Sequence, residues 1–538
     1  RFVDRITQAN GSGMADAARQ RLVASGPAEF EGLRTGLAAR YVRPGPGNDP
    51  VRNPDAIPTG KNFGTFDPRT VPLPAAGELG AQMAESLIAR HRERNGEMPE
   101  KVALQLWGVE TLRHQGVQEA QGLALLGVRP VRDERGRISD LKLIPREVLG
   151  RPRVDVVFHA TSLYRDTFPM LLELIDRAVQ LAASSPEADN PVRNHIDSLS
   201  EKLVAKGMDR ERAKRRAALR IFAEPSGKHD SKLHAMTHAS GSWDKEAQVA
   251  DNYIRRMGHA YGGGLWGVPA REEFRAALAD TDTIVHSRAS NLYATLDNDD
   301  YFSYGGSIAL GVRRVNGGGR SPDFYVTDLR RDGEEHHEPL ERFMGQELRS
   351  RYLNPEFAGQ MMQEGYAGGR HVWKAVDYLW GWQVVYPEAV DAAKWQEMHE
   401  VWINDRYDLG IEAFFEEHNP YARQGIASRM LEVVRKGYWD APTQTRAELV
   451  EVYVDSLVRH GPACDHLSCD NPELQQFVRK TAASVGLDSQ RVEAAMDNIE
   501  RATGRSIAAA LAERTADKVR WHQPPPEPAA PAGESPGK

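Results

Sequence analysis

"KVALQLWGVETLRHQG", residues 101–116, decides the fold. Its first half is a short, largely apolar run that closes on Gly108, too short for a buried helix and typical of a strand covered on both faces. Its second half turns polar at once and sets Glu110, Arg113 and His114 just beyond the strand. Ligand sites of parallel sheets lie at the carboxyl ends of strands, so these three side chains are candidates from the outset.

The same alternation continues outward. Val117–Leu126 reads as a helix, "DLKLIP" and "VDVVFHA" as strands, and "FPMLLELIDRAVQLA" as a helix. That order predicts an α/β layer with parallel strands. "TDTIVHS" and "DFYVTDL" are read as further strands, with a helix near 302–315 between them, and the chain turns helical beyond about 335. Three helix starts carry one signal, Asn354-Pro355, Asn419-Pro420 and Asn471-Pro472, and each helical stretch runs to a glycine, Gly365, Gly437 or Gly486. Asn caps free N–H groups, Pro at the first position has none to leave unpaired, and glycine takes the left-handed residue that ends a helix.

The expected architecture is multi-domain α/β. A partial domain and Pro/Gly-rich connector occupy 1–95 and an α/β domain with a solvated, charged helical insertion 96–222; a mixed α/β domain follows at 223–335, a mainly helical domain at 336–520, and a disordered tail at 521–538. Length allows this, since 538 residues correspond to about three or four domains. The net charge of −7, with Lys and Arg spread along the chain, argues against nucleic acid as a partner. No apolar stretch of about 18 residues is present, so no membrane span is expected. Two cysteines cannot build a disulfide framework, which favours a reducing, cytoplasmic setting, although a chain opening on Arg1 leaves room for a preceding segment.

Several patterns bear on chemistry. "AIPTGKNFG" lacks the upstream glycine and the hydroxyl after Lys61 that a phosphate loop needs, so ATP is not expected to bind here. His234 and His238 stand at i, i+4, a spacing able to grip a divalent metal if the segment is helical, with ordinary polar loop histidines as the alternative. His286 ends a strand, and Asp297, Asp299 and Asp300 crowd behind it, calling for a cation, an arginine or solvent. Arg165 and Asp166 follow another strand, as a site pair or a local salt bridge. Cys464, His466 and Cys469 offer three metal ligands, one short of a closed zinc site, and the two thiols are close enough for a disulfide under oxidation. Spacing alone leaves a metal site, a redox pair and a plain turn open; the helix start at Asn471 and the family resemblance given below favour a metal-binding or metal-relay loop.

Long ordered runs carry a resemblance: "YVRPGPGNDPVRNPDAIPTGKNF", "LALLGVRPV", "LGRPRVDVVFHATSLYRDTFP", "VHSRASNLYATLDNDDYFSYGG", "LNPEFAGQMMQEGYAG", "HNPYARQGIASRMLEVVRKGYW" and "CDHLSCDNPEL". Together they resemble the carboxyl-terminal half of the CobN/magnesium-chelatase large subunit. The resemblance implies a tetrapyrrole-binding subunit of an ATP-dependent ligase. Co²⁺ insertion into a corrin precursor of the hydrogenobyrinic acid a,c-diamide type is the leading pair, and Mg²⁺ with protoporphyrin or a non-catalytic metal-delivery protein the alternatives. It also implies that ATP is hydrolysed by a separate AAA+ subunit and that a von Willebrand A-like subunit takes part. His159 stands in "FHATS" where cobalt chelatases carry arginine, and is expected on the substrate side. Under this resemblance Arg113 and Arg165 hold substrate carboxylates, His286 or Glu110 accepts pyrrole protons, and Asp297, Asp299 and Asp300 attract the cation.

Overall fold

The computed structural model describes residues 15–46, 56–64 and 67–521. Residues 522–538 of the expected tail and part of the Pro/Gly-rich connector lie outside the described residues. The chain divides into two compact units. The first takes in the described residues through Thr237, then Trp243–Ala358 and Lys374–Lys394; the second takes in His238–Ser242, Gly359–Trp373 and the described residues from Trp395 onward.

The first unit is built on one sheet of eight strands: β1 (Lys101–Leu106), β2 (Asp155–Ala160), β3 (Ile221–Ala223), β4 (His259–Gly262), β5 (Leu265–Pro269), β6 (Thr283–Arg288), β7 (Asp323–Asp328) and β8 (His336–Pro339). Their spatial order is β8-β7-β6-β1-β2-β3-β4-β5. The five central strands are parallel, and β8 and the β4–β5 hairpin close the two edges antiparallel. The chain builds outward from β1 through β2 and β3 on one side, then restarts with β6 and β7 on the other, so the topology switches direction between β1 and β6.

Burial explains this order. β1, β2 and β6 are buried at every residue, as strands sandwiched between helical layers must be. One sheet face carries Leu104, Val156, Phe158 and Val285, and packs against α1 (Pro74–Asn95), α3 (Val117–Leu125) and α5 (Pro169–Ser184) through Leu87, Ile88, Leu123 and Ile175. Between β1 and α3 lies the short α2 (Gly108–His114), and between β2 and α5 the short α4 (Ser162–Thr167). Gly116, at φ +97°, allows the sharp reversal from α2 into α3. The opposite face carries His159, Phe222, His286 and Phe324 beneath α6 (Glu246–Met257), α7 (Arg271–Leu278), a π-helical turn at Tyr301–Gly306 and α8 (Ser307–Val315).

Some expectations are corrected. The boundary at 222/223 falls inside β3, and strands on both sides of it share one sheet. The charged segment near 190–217 is no solvated insertion, because its helix Pro191–Ala205 buries Val192, Ile196, Leu199 and Leu203 in the main core. "DLKLIP" does not join the layer: Ile138–Leu143 pairs antiparallel with Val128–Arg132 as a separate ribbon, which buries only Val128 and Leu141. The first unit also runs past 336, taking in β8 and α9 (Leu340–Ser350).

The second unit is helical, including Pro420–Arg435, Thr443–His460, Pro472–Val485 and Ser489–Thr503. The Asn-Pro signals stand. Asn419 and Asn471 accept from the N–H groups of Ala422 and Leu474, a third helix runs Pro355–Gln363, and Gly365, Gly437 and Gly486 all have positive φ.

Candidate active site

The topology switches between β1 and β6, and the strand ends beside that point, the place where such sheets bind ligands, carry a cluster of buried side chains. β1 delivers Trp107 and then Glu110 on the first turn of α2; β6 delivers His286 and Arg288. The π-helical turn roofs them with Tyr301. Ring centroids of Trp107 and Tyr301 lie 4.6 Å apart, and each is within 5.5 Å of the His286 ring. Trp107, Tyr301 and the imidazole form one aromatic wall.

Glu110 is buried and binds both sides of the cluster. Its Oε1 accepts from Arg113 at 2.9 Å and its Oε2 from the Ala289 N–H at 2.5 Å. Burial pushes its acidity down, and Arg113 and Arg288 oppose that shift. His286 is 6 % exposed, with neither ring nitrogen hydrogen-bonded among the described residues. Burial first, then Arg288 and His114, push its pKa down to about 3, so the ring is neutral at physiological pH. Arg288 lies over the Tyr301 ring at 4.8 Å and donates Nη2 to the carbonyls of Ser290 and Tyr293. Its Nε and Nη1 are buried without a hydrogen-bond acceptor among the described residues, and Nη1 lies 3.8 Å from Glu347 Oε1 as a long ion pair. Sequence reasoning passed over Arg288, although it closes the "VHSR" strand at its carboxyl end.

The acidic run separates into three environments. Asp297 accepts from Tyr352 at 2.6 Å and from the Ala294 N–H at 2.8 Å, and pairs with Arg351, which makes it a structural anchor and corrects its role as a free cation attractor. Asp299 pairs with His234 at 3.1 Å. Asp300 precedes the π-helical turn, and burial, reinforced by Asp299 and Asp230, raises its pKa to about 6.

Other expected site residues are also corrected. Arg165 is fully buried. It donates to both oxygens of Asp166 and to the carbonyls of Glu224, Pro225 and Lys228, leaving no fork for a substrate carboxylate. His159 is 1 % exposed, stacked on Tyr253 and Phe274 beneath the helices, so it does not face a substrate directly. His234 and His238 do share one short helix, Leu233–His238, but His234 serves Asp299. Cys464 and Cys469 are joined in a disulfide, which removes both thiolates as ligands, and His466 pairs with Asp470 at 3.2 Å. Among the described residues no three His, Cys, Asp or Glu side chains gather to hold a metal.

One residue with no sequence signal is Glu224, just past β3. It is fully buried, and its Oε1 accepts from the Tyr304 hydroxyl at 2.5 Å. Burial lifts its pKa to about 7. The second unit holds a cavity of about 910 Å³, but its Arg423, Arg459 and Arg491 each face a carboxylate in the same wall, so it offers no spare cation to an anionic ring.

A sequence model of the CobN/Magnesium Chelatase family matches residues 5–446. The chain belongs to that family. It is 34 % identical over 418 residues to the aerobic cobaltochelatase CobN protein of Sinorhizobium sp, covering 77 % of this chain and 32 % of the relative. It is 31 % identical over 465 residues to the magnesium-chelatase H protein of Chlorobaculum parvum, covering 84 % of this chain and 34 % of that one. The catalytic subunit of cobaltochelatase from Mycobacterium tuberculosis shares the fold at a TM-score of 0.76 and 31 % identity, over 84 % of this chain and 38 % of that structure. The CobN/magnesium-chelatase chain described here thus spans about a third of the length of the curated relatives it matches. None of its described helices is long and apolar enough to cross a membrane.

Proposed function

We propose that this chain is part of the tetrapyrrole-binding large subunit of an ATP-dependent metal chelatase, with Co²⁺ and a corrin precursor of the hydrogenobyrinic acid a,c-diamide type as substrates. The observation that carries this reading is the side-chain cluster at the switch point, which lies within the family match and sets an aromatic wall beside a neutral histidine, a buried carboxylate and a guanidinium with few hydrogen-bond acceptors.

Metal insertion needs a wall for a flat macrocycle, cations for its carboxylates, electron pairs for the ion and an acceptor for each ring N–H proton released, one from a corrin and two from a porphyrin. Trp107 and Tyr301 supply the wall. Arg288, with no hydrogen-bond acceptor on Nε or Nη1 among the described residues, replaces Arg165 as the carboxylate-holding cation, and Arg113 at the cluster edge assists it. His286, uncharged, offers the lone pair of its one unprotonated ring nitrogen to the incoming ion, and Asp299 and Asp300 raise the local cation concentration. Glu110, held by Arg113 and the Ala289 N–H, accepts one pyrrole proton. ATP hydrolysis falls to an AAA+ partner acting with a von Willebrand A-like subunit, and supplies the opening and closing that a buried His286 requires.

Magnesium with protoporphyrin is a second reading, because magnesium-chelatase H proteins match this chain as extensively as CobN does. Reconstitution with the partner ATPase, each ring offered with each metal and insertion followed by absorbance, tests both. Insertion of Co²⁺ into the corrin precursor alone supports the first reading, insertion of Mg²⁺ into protoporphyrin alone the second. Ring binding without any insertion by the whole large subunit that carries this chain refutes both.

A further inference from the structure

A corrin releases one ring N–H proton and a porphyrin two for each divalent ion inserted, and Glu110, already bound by Arg113 and the Ala289 N–H, is one acceptor. At the other end of the same row of strand ends stands Glu224. β1, β2 and β3 pair so that Gln105, His159 and Phe222 lie side by side across the sheet, in line with His286 on β6. Two residues further on, where alternation returns side chains to the same face, come Trp107, Arg288 and Glu224. Tyr301 and Tyr304, three residues apart in the π-helical turn, reach the two ends of this row: Tyr301 touches His286, and Tyr304 donates its hydroxyl to Glu224 Oε1 at 2.5 Å.

Glu224 differs from several other buried acids of the chain. Asp155 faces Arg220, Glu432 faces Arg435 and Glu110 faces Arg113. The Glu224 carboxylate has a tyrosine hydroxyl instead, and its Oε2 is buried with no hydrogen-bond partner among the described residues. Arg165 reaches the Glu224 carbonyl, as does the Tyr261 hydroxyl, and neither binds the carboxylate. His159 adds a second vacant acceptor nearby. The Gln105 amide donates to the carbonyls of His159 and Leu106, so its oxygen takes the proton of His159 Nδ1 at 2.8 Å and leaves Nε2 bare, on a ring 6.2 Å from that of Tyr304. An unpaired carboxylate in a low-dielectric site holds a proton readily.

We propose that Glu224, acting through Tyr304, takes up a ring N–H proton released on metal insertion. The proposal rests on the chelatase reading above. In the step, the pyrrole N–H bond breaks and its proton passes to the Tyr304 oxygen, while the Tyr304 hydroxyl proton passes to Glu224 Oε1. Tyr304 ends neutral, Glu224 ends as a carboxylic acid, and the pyrrole nitrogen keeps the electron pair that bonds the ion. The groups facing Glu224 are Tyr304, Tyr261, Tyr253, Arg165 and Asp230, with His159 behind Tyr253 and Tyr304.

Two measurements test this. Difference infrared spectroscopy of the full chain without ring or metal reports the carboxylic acid band directly: it should titrate near neutral pH and vanish in Glu224→Gln. Insertion assays with the ATPase partner then compare Glu224→Gln, Tyr304→Phe and Glu224→Asp. Loss of a proton acceptor predicts that Glu224→Gln and Tyr304→Phe lower kcat about 100-fold with KM within about twofold, and that the rise of kcat with pH through neutrality disappears, while Glu224→Asp restores part of it. If Gln, which still accepts from Tyr304, supports insertion at the wild-type rate, Glu224 is only a latch for the π-helical turn and the proposal falls while the chelatase reading stands. Absence of the titrating band overturns the proposal without reference to substrate. A wild-type complex that inserts no metal into either ring overturns the chelatase reading, and the proposal with it.

Discussion

Arg220→Met tests the physical basis of the sheet on which the cluster is built. Arg220, just before β3, is 4 % exposed and grips Asp155, the first residue of β2, by Nε to Oδ1 at 2.8 Å and Nη2 to Oδ2 at 3.0 Å. Its Nη1 also binds the carbonyls of Ala217 and Leu219. Asp155 is fully buried; burial would raise its pKa, but Arg220, His195 and Lys101 outweigh that and hold it well below the ordinary range. Two charges at about 4 Å and an effective dielectric of about 20 attract by roughly 4 kcal/mol, and breaking a buried pair costs about 3–5 kcal/mol. His195, at 2.9 Å from Asp155, remains to compensate in part, so about 3 kcal/mol is expected near neutral pH. The sign with pH follows. In wild type the depressed Asp155 contributes stability above the unfolded carboxylate range and loses it as pH falls toward the folded value. In the variant, where the pKa is raised, ionisation costs more as pH rises. The gap between the two therefore widens from about pH 4 to pH 7.5, by at most about 1.4 kcal/mol per pH unit. Urea unfolding at several pH values measures it, and adding Asp155→Leu should recover most of the loss. A gap that is flat with pH, or a double variant no better than the single, refutes the reasoning.

Other expectations concern the cluster and its roof. His286→Ala should lower insertion about 100-fold, and because burial holds the imidazole near pKa 3, His286 should contribute no limb near 6.5 to the wild-type pH profile. Asp300→Asn should stabilise the fold by about 2 kcal/mol at pH 7.5 and about half that at pH 5, since an acid raised to about 6 costs folding energy only once ionised, and should slow insertion at low metal concentration; thermal shift and rate assays read the two. Gly381→Ala should cost about 2 kcal/mol, because the added Cβ falls 2.5–2.6 Å from three ring atoms of Phe302 in the π-helical turn. Thiol titration of the denatured, unreduced chain should find no free sulfhydryl, and Cys464→Ser should leave Co²⁺ binding unchanged while costing about 2 kcal/mol of stability for the lost short loop.

Periodicity made the strands and helices legible, because each is a local statement. β1, β2 and β6 are apolar runs that only a strand between two layers can bury, and the Asn-Pro starts and glycine ends are satisfied within a few residues of chain. Sheet membership was not legible. Ile138–Leu143 and Thr283–Arg288 look alike as short apolar segments, and only the exposed Arg129, Asp140 and Lys142 beside the former leave it outside the layer. The placement of His286 and Glu110 in one cluster was readable for a related reason: each follows a recognisable strand, and the strand-end rule needs no tertiary knowledge.

The roles of the charged side chains were harder to read because a role depends on what a residue's partners leave free. Arg165 and Arg288 both follow a strand and both are buried, and sequence favours Arg165 for its adjacent aspartate. That aspartate is what disqualifies it: Asp166 and three carbonyls consume the guanidinium, whereas Arg288 has only a long ion pair to Glu347 at 3.8 Å and no hydrogen-bond acceptor on Nε or Nη1. The acids obey the same logic. Asp297 is consumed by Tyr352 and Arg351, while Glu224, which stands in no acidic cluster, has a hydroxyl 80 residues away on its carboxylate and no ion pair, Arg165 being held on its backbone carbonyl. A buried charge that is fully paired reports on stability, and one left partly unpaired carries a desolvation cost that the fold recovers only if a ligand or a proton completes it. On that criterion the candidate machinery of this chain is Arg288, His286 and Glu224 with Glu110, and the insertion rates of the Arg288→Met and Arg165→Met variants separate the two arginines: the first should raise KM for the ring, and the second should lower stability while leaving KM for the ring unchanged in the folded fraction.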